Sequence, residues 1–186
     1  MKILFINACV RDEDSRTLKL AKKLLDGLDG NIKEVKLASL DLKPLDREKI
    51  NERLTNPALQ TYAKEFSSAD TIVIAAPMWD LSFPALLKLY IENITIGGIT
   101  FKYTPNGPLG LCNAEKLYYV STSGGKFIPN YGYHYIKALA NNLFGIEYTK
   151  CFYAEYLDIW GNDIDGIVDT SLDEIDLYFE NEKSHL

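Results

Sequence analysis

Thr71 to Ala76, TIVIAA, is an apolar run with no alternation. A strand of that kind has both faces buried, as in a central parallel strand covered by helices on each side. It stops at Pro77. This one segment calls for an open α/β sheet, and the rest of the chain has to supply the flanking strands and crossover helices.

It does so in order. Ile3 to Ile6 is a short buried strand that runs into a polar loop, Asn7 to Asp14. Leu18, Ala21, Leu24, Leu25 and Leu28 then mark one face of a helix that starts near Ser15. Residues 31 to 37, NIKEVKL, alternate as a strand does. A polar connection has room for a short helix, Asp46 to Leu54. Asn56-Pro57 opens the next helix as a cap followed by proline at its first position, with Leu59, Tyr62, Ala63 and Phe66 as its buried face. Past the central strand, a helix from Ser82 buries Leu86, Leu87, Tyr90, Ile91 and Ile94. A long glycine- and proline-rich connection, Thr95 to Ala114, follows, and a loop of that length in a small domain is usually functional.

Lys116 to Ser121 is the fourth strand and leads into Thr122-Ser123-Gly124-Gly125. The fourth helix carries Ile136, Leu139, Ala140, Leu143 and Phe144 and stops at Gly145. Cys151 to Leu157 is the fifth strand, and Ile164, Ile167, Val168, Leu172, Ile175 and Phe179 line the fifth helix. Five strands alternating with five helices predict a doubly wound parallel sheet with helices on both faces. At 186 residues, 47% of them hydrophobic, the chain is expected to form a single domain, 1–186, with a core of its own.

Charge and cysteines exclude several classes. Ten of the 26 carboxylates but only one lysine fall in residues 155 to 186, which argues against a nucleic-acid partner at that end and suits the solvated face of a last helix. Cys9, Cys112 and Cys151 form no CxxC pair, so neither a disulfide framework nor a metal site is expected. No run approaches the roughly 18 residues of a membrane span, and MKILFINACVRDEDSR turns polar too early for a signal peptide. A cytoplasmic protein is the expectation.

In a doubly wound sheet, ligands bind beyond the carboxyl ends of the strands, where the strand order reverses. Three loops lie there. In the first, Asn7 to Thr17, the hydroxyls of Ser15 and Thr17, the Arg16 side chain and the free amides of a helix's first turn together suit a phosphate monoester. An ordinary helix cap with a surface arginine is the plainer alternative. The loop lacks both GxGxxG and GxxxxGK[ST], which excludes a dinucleotide fingerprint and a nucleotide triphosphate loop. The second loop, Pro77-Met78-Trp79-Asp80-Leu81-Ser82-Phe83-Pro84, places large apolar side chains between prolines where a turn is normally polar; a flat aromatic ligand, a core cap or a subunit contact would each explain them. The third, Thr122-Ser123-Gly124-Gly125, lets bare backbone approach a planar ring. A phosphate site, a planar slot and a backbone cradle together suit flavin mononucleotide.

The stretch from Ile72 to Leu111, IVIAAPMWDLSFPALLKLYIENITIGGITFKYTPNGPLGL, resembles the FMN-dependent NADH:quinone oxidoreductases, also called FMN-dependent NADH azoreductases. KILFINACVRDEDSRT and YYVSTSGG are similar to that family's phosphate loop and fourth strand. The resemblance implies a flavodoxin-like fold, a five-stranded parallel sheet of order 2-1-3-4-5. It implies FMN held by Cys9, Ser15, Arg16 and Thr17 at the phosphate, by Pro77, Met78, Trp79, Asp80 and Leu81 beside the ring, and by Thr122, Ser123, Gly124 and Gly125 at its other edge. Cys9, Trp79, Asp80 and Leu81 stand where serine, tyrosine, asparagine and phenylalanine are common.

A ping-pong cycle is implied too, in which NADH or NADPH reduces the flavin and a quinone or azo compound then takes the same place. The resemblance further implies a homodimer with the flavin near the interface, the 95–111 connection completing the neighbour's pocket. Tyr131 and His134 fall where related animal quinone reductases place a proton-shuttling tyrosine and histidine, a catalytic candidacy set against a plain helix-start histidine; His185 is tail. The rival readings are an NAD(P)H-dependent flavin reductase, an electron-carrying flavodoxin, whose TxTGxT loop is missing here, and a non-catalytic redox sensor.

Overall fold

The computed structural model of the chain describes residues 1–11 and 14–184. Asp12, Glu13, His185, Leu186 and the Leu59 side chain lie outside the described residues, and with them the expectations for His185 and for Leu59 on a buried face.

Strands β1 (Lys2–Asn7), β2 (Asn31–Lys36), β3 (Thr71–Ala75), β6 (Lys116–Thr122) and β7 (Tyr148–Ala154) form one parallel sheet, ordered β2-β1-β3-β6-β7. The remaining two, β4 (Phe101–Thr104) and β5 (Gly107–Gly110), pair antiparallel within the 95–114 connection, so the expected strand numbering shifts by two after β3. The chain leaves β1 for β2 on one side and returns to β3 on the other. The order therefore reverses between β1 and β3, where Asn7 pairs with Ala75 at the carboxyl end.

Side chains alternate across the sheet and make two cores. Ile3, Phe5, Val73, Tyr118 and Val120 face α1 (Arg16–Asp26) and α6 (Ile164–Ser184) through Leu20, Leu24, Val168 and Ile175. Leu4, Ile6, Ile72, Ile74 and Leu117 face the other way, against α3 (Pro57–Ser68), α4 (Ala85–Ile94) and α5 (Tyr133–Leu139) through Phe66, Leu87, Tyr90 and Ile136. A short helix, α2 (Arg47–Thr55), buries none of its residues and is capped by Asp46, which accepts from the Lys49 amide at 2.8 Å. The acidic face of α6 is solvated as expected, and three of its carboxylates also form surface ion pairs: Lys19 and Lys23 of α1 pair with Asp169 and Asp176, and Lys116 with Glu182.

Local signals explain most boundaries. Asn56 caps α3 by accepting from the Ala58 amide at 2.9 Å, with Pro57 at its first position. Gly145 closes the segment that begins with α5 in the left-handed conformation, φ +79°, after a π-helical turn from Ala140 to Phe144. Two boundaries differ from expectation. The α4 helix starts at Ala85, because Ser82 closes a tight turn with Trp79 and Pro84 supplies the cap position. The fifth strand runs from Tyr148 to Ala154 and not from Cys151 to Leu157, because β7 is an edge strand whose first residues are largely solvent-facing and lack the apolar signature of a buried one, and because Tyr156 at φ +63° breaks the extended backbone past its end. Among the described residues no helix is long and apolar enough to cross a membrane.

The hairpin is pinned at both ends. Thr100, fully buried, donates to the Ile94 carbonyl at 3.0 Å and accepts from the Ile96 amide at 3.1 Å. Gly110 lies so close to the Phe144–Gly145 backbone that a Cβ there would collide with it, which accounts for glycine at that position.

Candidate cofactor site

An open cleft of about 180 Å³ lies beyond the carboxyl ends of β1, β3, β6 and β7. One wall is the start of α1. Ser15 caps that helix, its hydroxyl accepting from the Leu18 amide at 3.2 Å, and Arg16 and Thr17 follow in the first turn, whose amides have no intrahelical acceptor. The opposite wall is apolar, from Pro77, Met78 and Trp79. Thr122, Ser123 and Gly124 form the floor between them.

The walls are tied together. Thr17 and Thr122 share a hydrogen bond of 2.5 Å between their hydroxyls, and the Met78 amide donates to the Thr122 carbonyl at 2.8 Å. Met78 Sδ accepts from the Ile128 amide at 3.4 Å, and Ser82 Oγ donates to the Tyr131 carbonyl at 2.7 Å. Trp79 and Ser82 exchange backbone bonds of 2.9 and 2.8 Å around Asp80 and Leu81, both at positive φ, +50° and +68°. Two consecutive left-handed residues define a primed hairpin turn, normally the place of glycine or asparagine. A leucine there carries a cost of about 1–2 kcal/mol, and strain of that kind gathers around functional sites.

Nine expected site residues are brought together here: Ser15, Arg16, Thr17, Pro77, Met78, Trp79, Thr122, Ser123 and Gly124. Others lie outside the cleft lining. Cys9 is buried, its amide donating to Asn7 Oδ1 at 2.9 Å and its thiol directed at the Ala75 carbonyl at 3.8 Å. Burial pushes that thiol up to about 11, against the Ser15 hydroxyl, which lowers it. Asp80 and Leu81 form the exposed apex of the turn, because the primed geometry directs them away from Pro77 and Met78. Gly125 lies past the floor, with its carbonyl accepting from the Tyr156 amide and open space where its Cβ would be. Tyr131 and His134 are exposed and also outside the cleft lining.

Five lining residues were not singled out from sequence: Val10, Arg11, Asp14, Leu157 and Asp158. The first three belong to the expected phosphate loop. Leu157 and Asp158 follow β7, and the rule that pointed to the ends of β1, β3 and β6 could have been extended to that fourth strand end. Two guanidinium groups, two hydroxyls and first-turn amides beside a thioether, an indole and a proline make a donor set that fits a phosphorylated ligand with a flat apolar body.

Residues 1–178 match the flavodoxin-like fold family, to which the chain therefore belongs. Its nearer kin are the FMN-dependent NADH:quinone oxidoreductases. That of Clostridium perfringens is 33% identical, covering 93% of this chain and 95% of that protein. That of Clostridium beijerinckii is 35% identical over the same shares. An FMN-dependent NADH-azoreductase from Bacillus anthracis, solved in complex with FMN, superposes with a TM-score of 0.76 at 25% identity, covering 97% of this chain and 98% of that one.

Proposed function

We propose that the chain is an FMN-dependent oxidoreductase that takes two electrons from NADH, or NADPH, and gives them to a quinone or azo acceptor at one shared site. The observation that supports this most is the meeting of an anion-binding helix start, an apolar wall and a glycine floor in one cleft at the strand-order reversal, in a chain of this family. When bound, FMN supplies the hydride chemistry, and the protein supplies binding and orientation.

In this reading Ser15, Arg16 and Thr17 hold the phosphate, Pro77, Met78 and Trp79 lie along the ring, and Thr122, Ser123 and Gly124 approach its other edge. The whole chain serves as one FMN-binding domain. A cleft of about 180 Å³ is smaller than the roughly 300–1,000 Å³ of pockets that enclose a drug-sized ligand, so the ring lies at an open mouth. Exposed apolar groups on the loops that follow β3, β6 and β7, Trp79, Leu81, Tyr131 and the fully exposed Trp160, favour a second copy of the chain covering this end of the sheet as a homodimer, with the β4–β5 hairpin reaching across. The three cysteines are free thiols, in keeping with a reducing cytoplasm.

Initial rates of NADH oxidation by FMN-loaded protein, measured at several benzoquinone concentrations, test the reading. Parallel double-reciprocal lines are expected for two half-reactions at one site. A rate that saturates with added free FMN instead would make the chain a flavin reductase, and no turnover would remove the enzymatic reading.

A further inference from the structure

Arg16, the cation at the helix start, already has an anion beside it. Its Nη1 donates to the Leu157 carbonyl at 3.0 Å and to Asp158 Oδ1 at 2.9 Å. The other carboxylate oxygen of Asp158 sits so close over Gly124 that a Cβ on that glycine would collide with it. The carboxylate thus covers the floor residue that leaves backbone open to a ligand.

The backbone holds it there. The amides of Tyr156, Leu157 and Asp158 donate to the carbonyls of Gly125, Ser123 and Gly124 at 2.9, 3.1 and 2.9 Å. Tyr156 takes a positive φ of +63°, unusual for a bulky residue, to lay the segment along the floor. The side chains themselves are wet, 43% exposed for Arg16 and 74% for Asp158, so the pair opens at little cost. A phosphate monoester arriving at the helix start would meet a like charge beside Arg16 and would compete with it for the same donors.

We infer that Asp158 is an internal competitor for Arg16 that sets the cleft's affinity for a phosphorylated cofactor while leaving its affinity for the unphosphorylated ring unchanged. Asp158 is in this sense a specificity-determining residue, and the inference rests on the reading of the cleft as the FMN site.

Flavin-free wild-type protein, Asp158→Asn and Asp158→Glu are each titrated with FMN and with riboflavin, following quenching of flavin fluorescence. Asp158→Asn is expected to bind FMN about three- to five-fold more tightly, the scale of an exposed ion pair, with riboflavin affinity unchanged and Asp158→Glu close to wild type. Weaker or unchanged FMN binding by Asp158→Asn would overturn the inference and make Asp158 a support for Arg16, with the FMN reading intact. Equal tightening for both flavins would overturn it as well, because the space over Gly124 and not the charge would then be decisive. Wild-type protein that binds neither flavin overturns the cleft reading and this inference together.

Discussion

The hydroxyls of Thr17 and Thr122 meet at 2.5 Å across 105 residues of chain, joining the first turn of α1 to the end of β6. Both residues are buried. This contact ties the helix-start wall of the cleft to its glycine floor, so it serves stability and cleft geometry at once. Thr17→Val leaves a buried hydroxyl on Thr122 without that partner and is expected to cost about 1–3 kcal/mol. The double variant with Thr122→Val should lose less than the sum of the two single changes, because no orphaned hydroxyl remains. Urea unfolding of the three variants checks this, and strict additivity would show that the two hydroxyls do not interact.

Arg16 carries the charge that the phosphate reading requires. Arg16→Ala removes a charged donor, worth about 1.5–3 kcal/mol to an anionic partner, so FMN affinity is expected to fall by roughly ten-fold or more. Riboflavin affinity should barely change. Equal loss for both flavins, seen by fluorescence titration, would mean that Arg16 shapes the cleft without holding the phosphate.

Burial pushes Cys9 up to about 11 and both Cys112 and Cys151 up to about 12, each from 9.0. In the unfolded chain these thiols ionise near 9, while in the fold they stay protonated. Above pH 9 the unfolded state therefore binds fewer protons than the native one, and stability falls as pH rises. The contribution is complete below pH 9 and is lost progressively between about pH 9 and 12. Unfolding midpoints measured from pH 8 to 11 should decline, and more gently in Cys9→Ala. At neutral pH the folded protein should resist alkylation that proceeds readily in urea.

His134 is exposed on the first turn of α5 and lies outside the cleft lining. His134→Ala is expected to keep the rate of flavin reduction within two-fold of wild type, with the same pH profile. An altered pH profile would restore the proton-relay role that its position in the sequence suggested.

Local chemistry was readable wherever one segment decides its own structure. The unalternating β3 run, the Ser15 and Asn56 caps and the left-handed stop at Gly145 stand where their residue types require. The same holds for most of the cleft, since the strand-end rule locates the loops after β1, β3 and β6. What was not readable depends on distant partners. The β4–β5 hairpin has strands of four residues containing glycine and proline, and it is held by Thr100 and by the contact of Gly110 with Gly145. Cys9 sits in a loop that suggested ligand contact, yet it is buried with its thiol directed at the carbonyl of Ala75, the last residue of β3. The Arg16–Asp158 pair spans 142 residues, and no local pattern signals it.

The central claim is that this cleft holds a flavin that NADH reduces and a quinone reoxidises. The most direct test is an anaerobic titration of the FMN-loaded protein with NADH, followed by addition of benzoquinone, watching the oxidised flavin absorbance. Rapid bleaching by one equivalent of NADH and full recovery with one equivalent of quinone is the predicted result. Tightly bound FMN that NADH leaves unbleached would contradict it and point to an electron carrier or sensor.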